Sequence, residues 1–173
     1  MSETPRSEEI EKEPEVEITE YSDKYKDAVM ELVFEIAENE LGHHSASGRP
    51  DLQKIKEVYQ KDRGNFWVAL KAGEIVGTIA LKDMGEGRGD LWRFYVKGNL
   101  RERGIGHKLF FALMDFAENN GYKEIFLSTR KDQGAANKFY LRHGFEQIEA
   151  LPEDFPHSLN DDTFYKLDLE SEK

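Results

Sequence analysis

The chain contains no cysteine among its 173 residues, which excludes disulfides, thiolate metal sites and covalent catalysis through a cysteine. No apolar run approaches the roughly 18 residues that a membrane-spanning helix needs. The first residues are acidic and polar and do not resemble a secretory leader, so the expected location is cytoplasmic and no membrane partner is expected. Basic residues are scarce as well: 24 lysines and arginines face 35 acids, a formal net charge of −11. That sign repels a phosphate backbone, so no nucleic-acid partner is expected, and a cationic partner is easier to accommodate.

The length is that of one ordinary domain, enough to bury a core. Residues 1–14 carry Glu3, Glu8, Glu9, Glu11 and Glu13 against Arg6 and Lys12, with hardly an apolar side chain. Such a segment cannot offset its ordering entropy by burial and reads as a disordered acidic tail. Residues 15–173 read as a single domain.

Val16 and Ile18 alternate with acids, giving a short first strand with one buried face. From Asp23 to Glu40, Tyr25, Val29, Leu32, Val33 and Ile36 share one face of an amphipathic helix. Leu41 to Pro50 is a polar loop holding His43 and His44, and no third ligand stands at metal spacing, so no metal is expected. Asp51 is placed to cap a second helix running to Asp62. Phe66–Leu70 and Ile75–Leu81 read as a hairpin turning at Lys71 to Glu74. The Arg-Gly-Asp tripeptide at 88–90 is read as chance in a chain without a secretory signal.

Leu91 to Val96 is the apolar stretch around which the rest is organised, read as a strand buried on both faces. Lys97-Gly98-Asn99 breaks it, and Ile105, Leu109, Leu113, Phe116 and Ala117 then recur at helical spacing up to a Gly121 cap. A helix starting near Arg103 or Gly104 turns free amides and the positive end of its dipole toward a glycine turn flanked by Arg101 and Arg103. A pyrophosphate suits that turn; so does a plain solvated strand-to-helix connection, and glycines alone do not choose. After the helix come a buried strand (124–128), a short helix (133–142), a strand through Ile148, a proline-bounded loop and a last strand (163–169) that closes the sheet. The strands ending at Val96 and beginning at Glu124 are expected to be parallel, joined by a right-handed crossover.

The string Val96, Arg101, Gly104, Gly106 after a hydrophobic strand resembles the acyl-CoA pyrophosphate loop of the GNAT superfamily of N-acetyltransferases. A second segment, Ala135 to Phe145 with Tyr140 and Gly144-Phe145, resembles the same family's Ala-x-x-x-Tyr and Gly-Phe pattern. The order β-α-α-β-β-β-α-β-α-β-β over Val16 to Leu169 is similar to that fold, an α/β mixed sheet of six or seven strands with about four helices.

The resemblance implies acetyl-CoA as cosubstrate. Its pantetheine would lie along Phe94, Tyr95 and Val96, and its pyrophosphate on Arg101, Glu102, Arg103, Gly104, Ile105 and Gly106. Gln133 stands where many members carry an asparagine, and Asn137 sits one turn before Tyr140, so either amide is a candidate for the pantetheine arm. Tyr140 matches the general acid that protonates the leaving thiolate; a tyrosine on an apolar helix also serves as plain core. Asp90, at the start of the central strand, is the first candidate for general base, acting through a water; a strand-start turn aspartate is the alternative. Glu40, Glu86, His43 and His44 are weaker candidates. The activity implied is transfer of an acetyl group to a primary amine, small or protein-borne, by direct attack in a ternary complex. Two rivals remain: a non-catalytic acetyl-CoA sensor of the same fold, and a nucleotide-diphosphate binder, which the missing Gly-Lys-Ser/Thr loop disfavours. The molecule is expected to be a monomer or a homodimer.

Overall fold

The computed structural model of the chain describes residues 15–39, 49–98 and 104–169. The acidic tail, Glu40, His43, His44 and the run Arg101, Glu102 and Arg103 lie outside the described residues. The elements are β1 (Val16–Glu20), α1 (Lys26–Asn39), α2 (Ile55–Val58), β2 (Asn65–Lys71), β3 (Glu74–Asp83), β4 (Arg88–Val96), α3 (Ile105–Asn119), β5 (Glu124–Thr129), α4 (Gly134–Arg142), β6 (Glu146–Ile148) and β7 (Thr163–Asp168). They appear in the expected order. The strands form one sheet, β1-β2-β3-β4-β5-β7-β6. Among the described strands only β4 and β5 pair in parallel, with α3 as the crossover between them.

Alternation along the central strands divides the core in two. Trp67, Ala69, Val76 and Leu81 pack with Leu109 and Leu113 of α3. Phe66, Val68, Ile75 and Ala80 pack with Val29, Leu32, Val33 and Ile36 of α1 on the other face. The β2–β3 hairpin turns on Ala72 and Gly73, both at positive φ (51° and 81°), the two-residue turn whose twist matches the flanking strands. At the end of α3, Gly121 takes φ 79° and the Tyr122 amide donates back to the Ala117 carbonyl at 3.1 Å, closing the helix.

Three expectations change. The second helix is not one helix from Asp51: a 3-10 turn (Pro50–Gln53) and a single α-turn (Ile55–Val58) are separated by Lys54 at φ −135°, ψ 49°. Asp51 makes no cap, because Arg93 and Tyr59 take its carboxylate. Leu91 to Val96 is not buried on both faces: Leu91 and Val96 are buried, while Trp92, Arg93, Phe94 and Tyr95 are half-exposed along a cleft. The last strand joins the sheet as expected, and β7 does so by inserting between β5 and β6. Gly89 and Asp90 of the Arg-Gly-Asp tripeptide are buried inside β4, so no adhesion loop exists there.

Candidate active site

The site begins where the sheet stops pairing. β4 and β5 share three ladder positions, Arg88 with Glu124, Gly89 with Ile125 and Asp90 with Phe126, and then diverge. Each remains held on its outer side, β4 by β3 and β5 by β7 along its whole length. On β4 the register slips opposite Thr78 and Ala80, and Arg93 adopts φ 52°. Thr78 secures this bulge by donating its hydroxyl to the Arg93 carbonyl at 2.7 Å. The divergence opens a cleft of about 1460 Å³ lined by Leu91 to Val96 on one side and Leu127 to Thr129 on the other. That exceeds the usual range for one drug-sized ligand, roughly 300–1,000 Å³, and leaves room for two reactants.

The N-terminus of α3 meets the cleft. Gly104 holds φ 78° just before the helix, a conformation that favours glycine, and Gly106 lines the cavity. A Cβ on Gly106 would come no nearer than 3.7 Å to the described residues packed around it, so their packing does not require glycine there. The first intrahelical bond runs from the Lys108 amide to the Gly104 carbonyl at 3.1 Å, so the amides of Ile105, Gly106 and His107 precede the helical ladder. The Ile105 side chain is 1% exposed in the core, so only its backbone is available. His107 lines the cleft and its Nδ1 lies 3.2 Å from Nε2 of His143. Lys138 and Arg142 of α4 also line the cleft, with no ion-pair partner among the described residues.

Tyr140 enters from α4. It is 6% exposed, packed against Phe94, Phe145 and Tyr165, and it lines the cleft. Among the described residues its hydroxyl has no hydrogen-bond partner. Burial pushes its pKa well above the ordinary tyrosine value, with Tyr95, Tyr165 and Asp161 adding to the rise. The two candidate amides divide. Gln133 lines the cleft just ahead of α4. Asn137 does not: its amide donates to the carbonyls of Arg130 (3.0 Å) and Gln133 (2.8 Å), and its oxygen accepts from Tyr165 (2.7 Å). Asn137 shapes the β5–α4 loop and is fully engaged in doing so.

Asp90 lies beneath the cleft, 2% exposed, and is not part of its lining. The Trp92 indole donates to its carboxylate at 2.6 Å. Burial raises its pKa to about 7; the Trp92 bond and Lys82 pull it down, and Asp161 pushes it up. The connection between β6 and β7 covers this corner. Phe155 packs on Phe126 at 5.0 Å, and Arg88 lies 5.2 Å over the Phe155 ring while gripping Asp154 at 3.0 and 2.6 Å. Glu86, by contrast, stands in the β3–β4 turn at φ 60°, away from the cleft lining.

A buried polar cluster that the sequence did not announce supports the other wall. Arg93 forks onto Asp51 at 2.9 and 2.8 Å and reaches the Tyr95 hydroxyl at 3.3 Å, and Tyr59 donates to Asp51 at 2.6 Å. Burial alone would raise the Asp51 pKa, but the Arg93 and Tyr59 contacts hold it below the usual carboxylate range. Ser128 and Asp161, joined at 2.7 Å, were equally unannounced. These partners lie 42 and 33 residues apart, and no local motif links them.

Residues 27–145 match the model of the acetyltransferase (GNAT) family. The N-acetylaspartate synthetase of Xenopus tropicalis is 32% identical over 133 residues, 73% of this chain and 49% of that protein. N-acetyltransferase 8 of Rattus norvegicus is 36% identical over 103 residues, 56% of this chain and 46% of that protein. The chain thus spans about half the length of these curated relatives. A GNAT-family acetyltransferase from Staphylococcus aureus Mu50 superimposes with a TM-score of 0.86 at 30% identity, covering 90% of this chain and 99% of that one. The same fold at 18% identity and a TM-score of 0.73 occurs in the PaiA N-acetyltransferase of Thermoplasma acidophilum, solved in complex with coenzyme A; 89% of this chain and 99% of that one are covered.

Proposed function

The chain belongs to the acetyltransferase (GNAT) family, and on that premise we propose that it transfers the acetyl group of acetyl-CoA to a primary amine by direct attack in a ternary complex. The observation that carries this reading is the interrupted β4–β5 ladder, which opens between the N-terminus of α3 and the Tyr140 hydroxyl, unpartnered among the described residues. The cleft suits acetyl-CoA: an exposed strand edge at Phe94 and Tyr95, helix-start amides at Ile105 and Gly106, and the cations Lys138 and Arg142, which make no ion pair among the described residues, for phosphate. Arg101, Glu102 and Arg103 belong to the same proposed phosphate site through their place in the sequence. Of the two amides, Gln133 is the one proposed to meet the pantetheine arm.

Acetyl-CoA supplies the activated acetyl group, and this chain's residues manage charge and protons around it. A backbone N–H of β4 offers a hydrogen bond to the carbonyl oxygen as negative charge builds there. An alkylamine of pKa about 10.4 is neutral only about once in a few thousand molecules at pH 7, a penalty of roughly 4–5 kcal/mol. Asp90, with its pKa near 7, is matched to accept that proton. Its short side chain and its burial require a water to carry the proton to it. Tyr140, held protonated by burial, donates to the departing thiolate.

Calorimetric titration with acetyl-CoA, CoA and ATP, followed by thiol release against a panel of amines, tests the proposal. Binding of acetyl-CoA with amine-dependent thiol release is the expected result. Tight CoA binding without release from any amine would make the chain a CoA-binding module, and preference for ATP would overturn both readings.

A further inference from the structure

Three described carboxylates line the cleft: Asp51, Asp132 and Asp161. Arg93 neutralises Asp51, and Arg130 neutralises Asp132. Asp161 makes no ion pair among the described residues, although the Arg130 guanidinium, already paired with Asp132, feels its charge; its carboxylate accepts one hydrogen bond, from Ser128 Oγ at 2.7 Å. An ionised carboxylate has about four lone-pair sites, so most of its accepting capacity is unused among the described residues.

This side chain is also fixed in place. The connection that carries it is latched near its middle by Arg88 on Asp154 and by Phe155 on Phe126. At its end the Asp162 amide donates to the Thr129 carbonyl at 3.0 Å, and the Asp162 carboxylate accepts from the Lys131 amide at 2.8 Å. A group already ordered loses little further freedom when a ligand arrives. Its position relative to the sheet follows from β5. Ile125 and Leu127 point into the α3-side core, so Phe126 and Ser128 face the opposite side, and Ser128 holds Asp161 there. Tyr140 packs in the core that contains Leu127. Asp161 and Tyr140 therefore flank the gap from opposite faces of the sheet. The charge on Asp161 is also felt by both Asp90 and Tyr140, which places it within electrostatic reach of the proposed base and the proposed acid.

We propose that Asp161, held by Ser128, is the anchor for the acceptor: it binds an ammonium of an alkylamine other than the nitrogen that is acetylated, such as the second nitrogen of a diamine, on the face of the gap opposite Tyr140. The proposal rests on the transferase reading for its place in the reaction. An ammonium offers three donors to a carboxylate whose remaining acceptor sites are open. The class of ligand is cationic at neutral pH, and neutral arylamines gain nothing from this contact.

Direct binding separates this inference from the transferase reading. 1,5-Diaminopentane is titrated calorimetrically onto the CoA-saturated protein, its Asp161→Asn variant and its Ser128→Ala variant. Circular dichroism and the Kd for CoA confirm that the variants are folded. A charge-assisted contact of this kind predicts a loss of about 10- to 100-fold in diamine affinity for Asp161→Asn and a smaller loss for Ser128→Ala, with CoA affinity unchanged. In turnover, the KM for the diamine rises by the same factor in Asp161→Asn with kcat little altered, while the KM for aniline stays constant. Equal diamine binding by wild type and Asp161→Asn, no diamine binding by the wild type, or a matching loss with aniline would each overturn the anchor. Diamine binding that depends on Asp161 without thiol release would leave the anchor standing and sink the transferase reading.

Discussion

Replacing Asp90 by asparagine should move stability and activity in opposite directions. Burial is the main cause that lifts this carboxyl from 3.8 to about 7. Between those values the native state holds a proton that the unfolded chain has released, so stability falls as pH rises through the window. The contribution of this group is complete below pH 3.8 and lost once pH passes about 7. At roughly 1.4 kcal/mol per pH unit, the full interval corresponds to about 4 kcal/mol. Asparagine keeps the shape, can still accept the Trp92 bond, and carries no charge. It brings an N–H₂ group into a buried pocket, which costs about 1–3 kcal/mol where it finds no acceptor. The net expectation at pH 8 is a variant about 1–3 kcal/mol more stable than the wild type, with the advantage gone at pH 4. Urea unfolding at pH 4, 6 and 8 measures this directly. Thiol release in the same preparations should fall by about 10²- to 10⁴-fold, the usual contribution of a positioned proton acceptor. Equal or lower stability of Asp90→Asn at pH 8, or an unaltered pH dependence of its midpoints, would refute the account of Asp90 as a buried carboxylate forced to ionise.

Tyr140→Phe removes a hydroxyl that no described residue bonds, so stability should change by less than about 0.5 kcal/mol while kcat falls by about 10²-fold or more, measured by urea melts and steady-state kinetics. In the wild type, kcat should climb as pH passes about 7 and Asp90 ionises, and no alkaline limb of kcat should appear near pH 10, because burial keeps Tyr140 protonated there. Asp51→Ala strands the Arg93 guanidinium in a largely buried site and should cost about 3–5 kcal/mol in urea unfolding; adding Arg93→Met should recover part of that loss. Gly77→Ala would place a methyl 2.8 Å from Leu109 Cδ1 and 3.0 Å from the Tyr95 carbonyl, and an expected cost of about 1–3 kcal/mol should appear in the same assay.

What the sequence made legible was local. The β2–β3 hairpin, the strand ending at Val96 with the helix beginning at Ile105, and Tyr140 ahead of Gly144-Phe145 each lie within one short window, where periodicity and turn residues act. Asp51 was misread for the same reason. An aspartate before an apolar run satisfies the local rule for a cap, but a guanidinium 42 residues away offers two charge-assisted bonds, and those win. Asn137 carries a related lesson: its residue type tells how many hydrogen bonds it can make, and only the fold tells that Arg130, Gln133 and Tyr165 use them. Asp161 was invisible because nothing near it in sequence marks it. Its character comes from making no ion pair among the described residues while its neighbours in the cleft have theirs.

The position of β7 explains why such a cleft can persist without closing. Had β5 been an edge strand, its separation from β4 would leave it tethered by three ladder positions and prone to slide back into pairing. With β7 inserted beside it, β5 is paired from Glu124 to Thr129 on its far side, and its buried face is fixed by Ile125 and Leu127. β4 is fixed in the same way by β3, with the bulge at Arg93 turning its course and Asp51 holding the bulged side chain from below. The gap is therefore set by two independently anchored half-sheets. Unpaired strand edges inside a protein are costly unless something satisfies them. An extended ligand that hydrogen-bonds like a strand meets that need, and the pantetheine arm of acetyl-CoA is such a ligand. The Asp51–Arg93 pair would then act on cofactor binding through the course of β4, without contact to the cofactor.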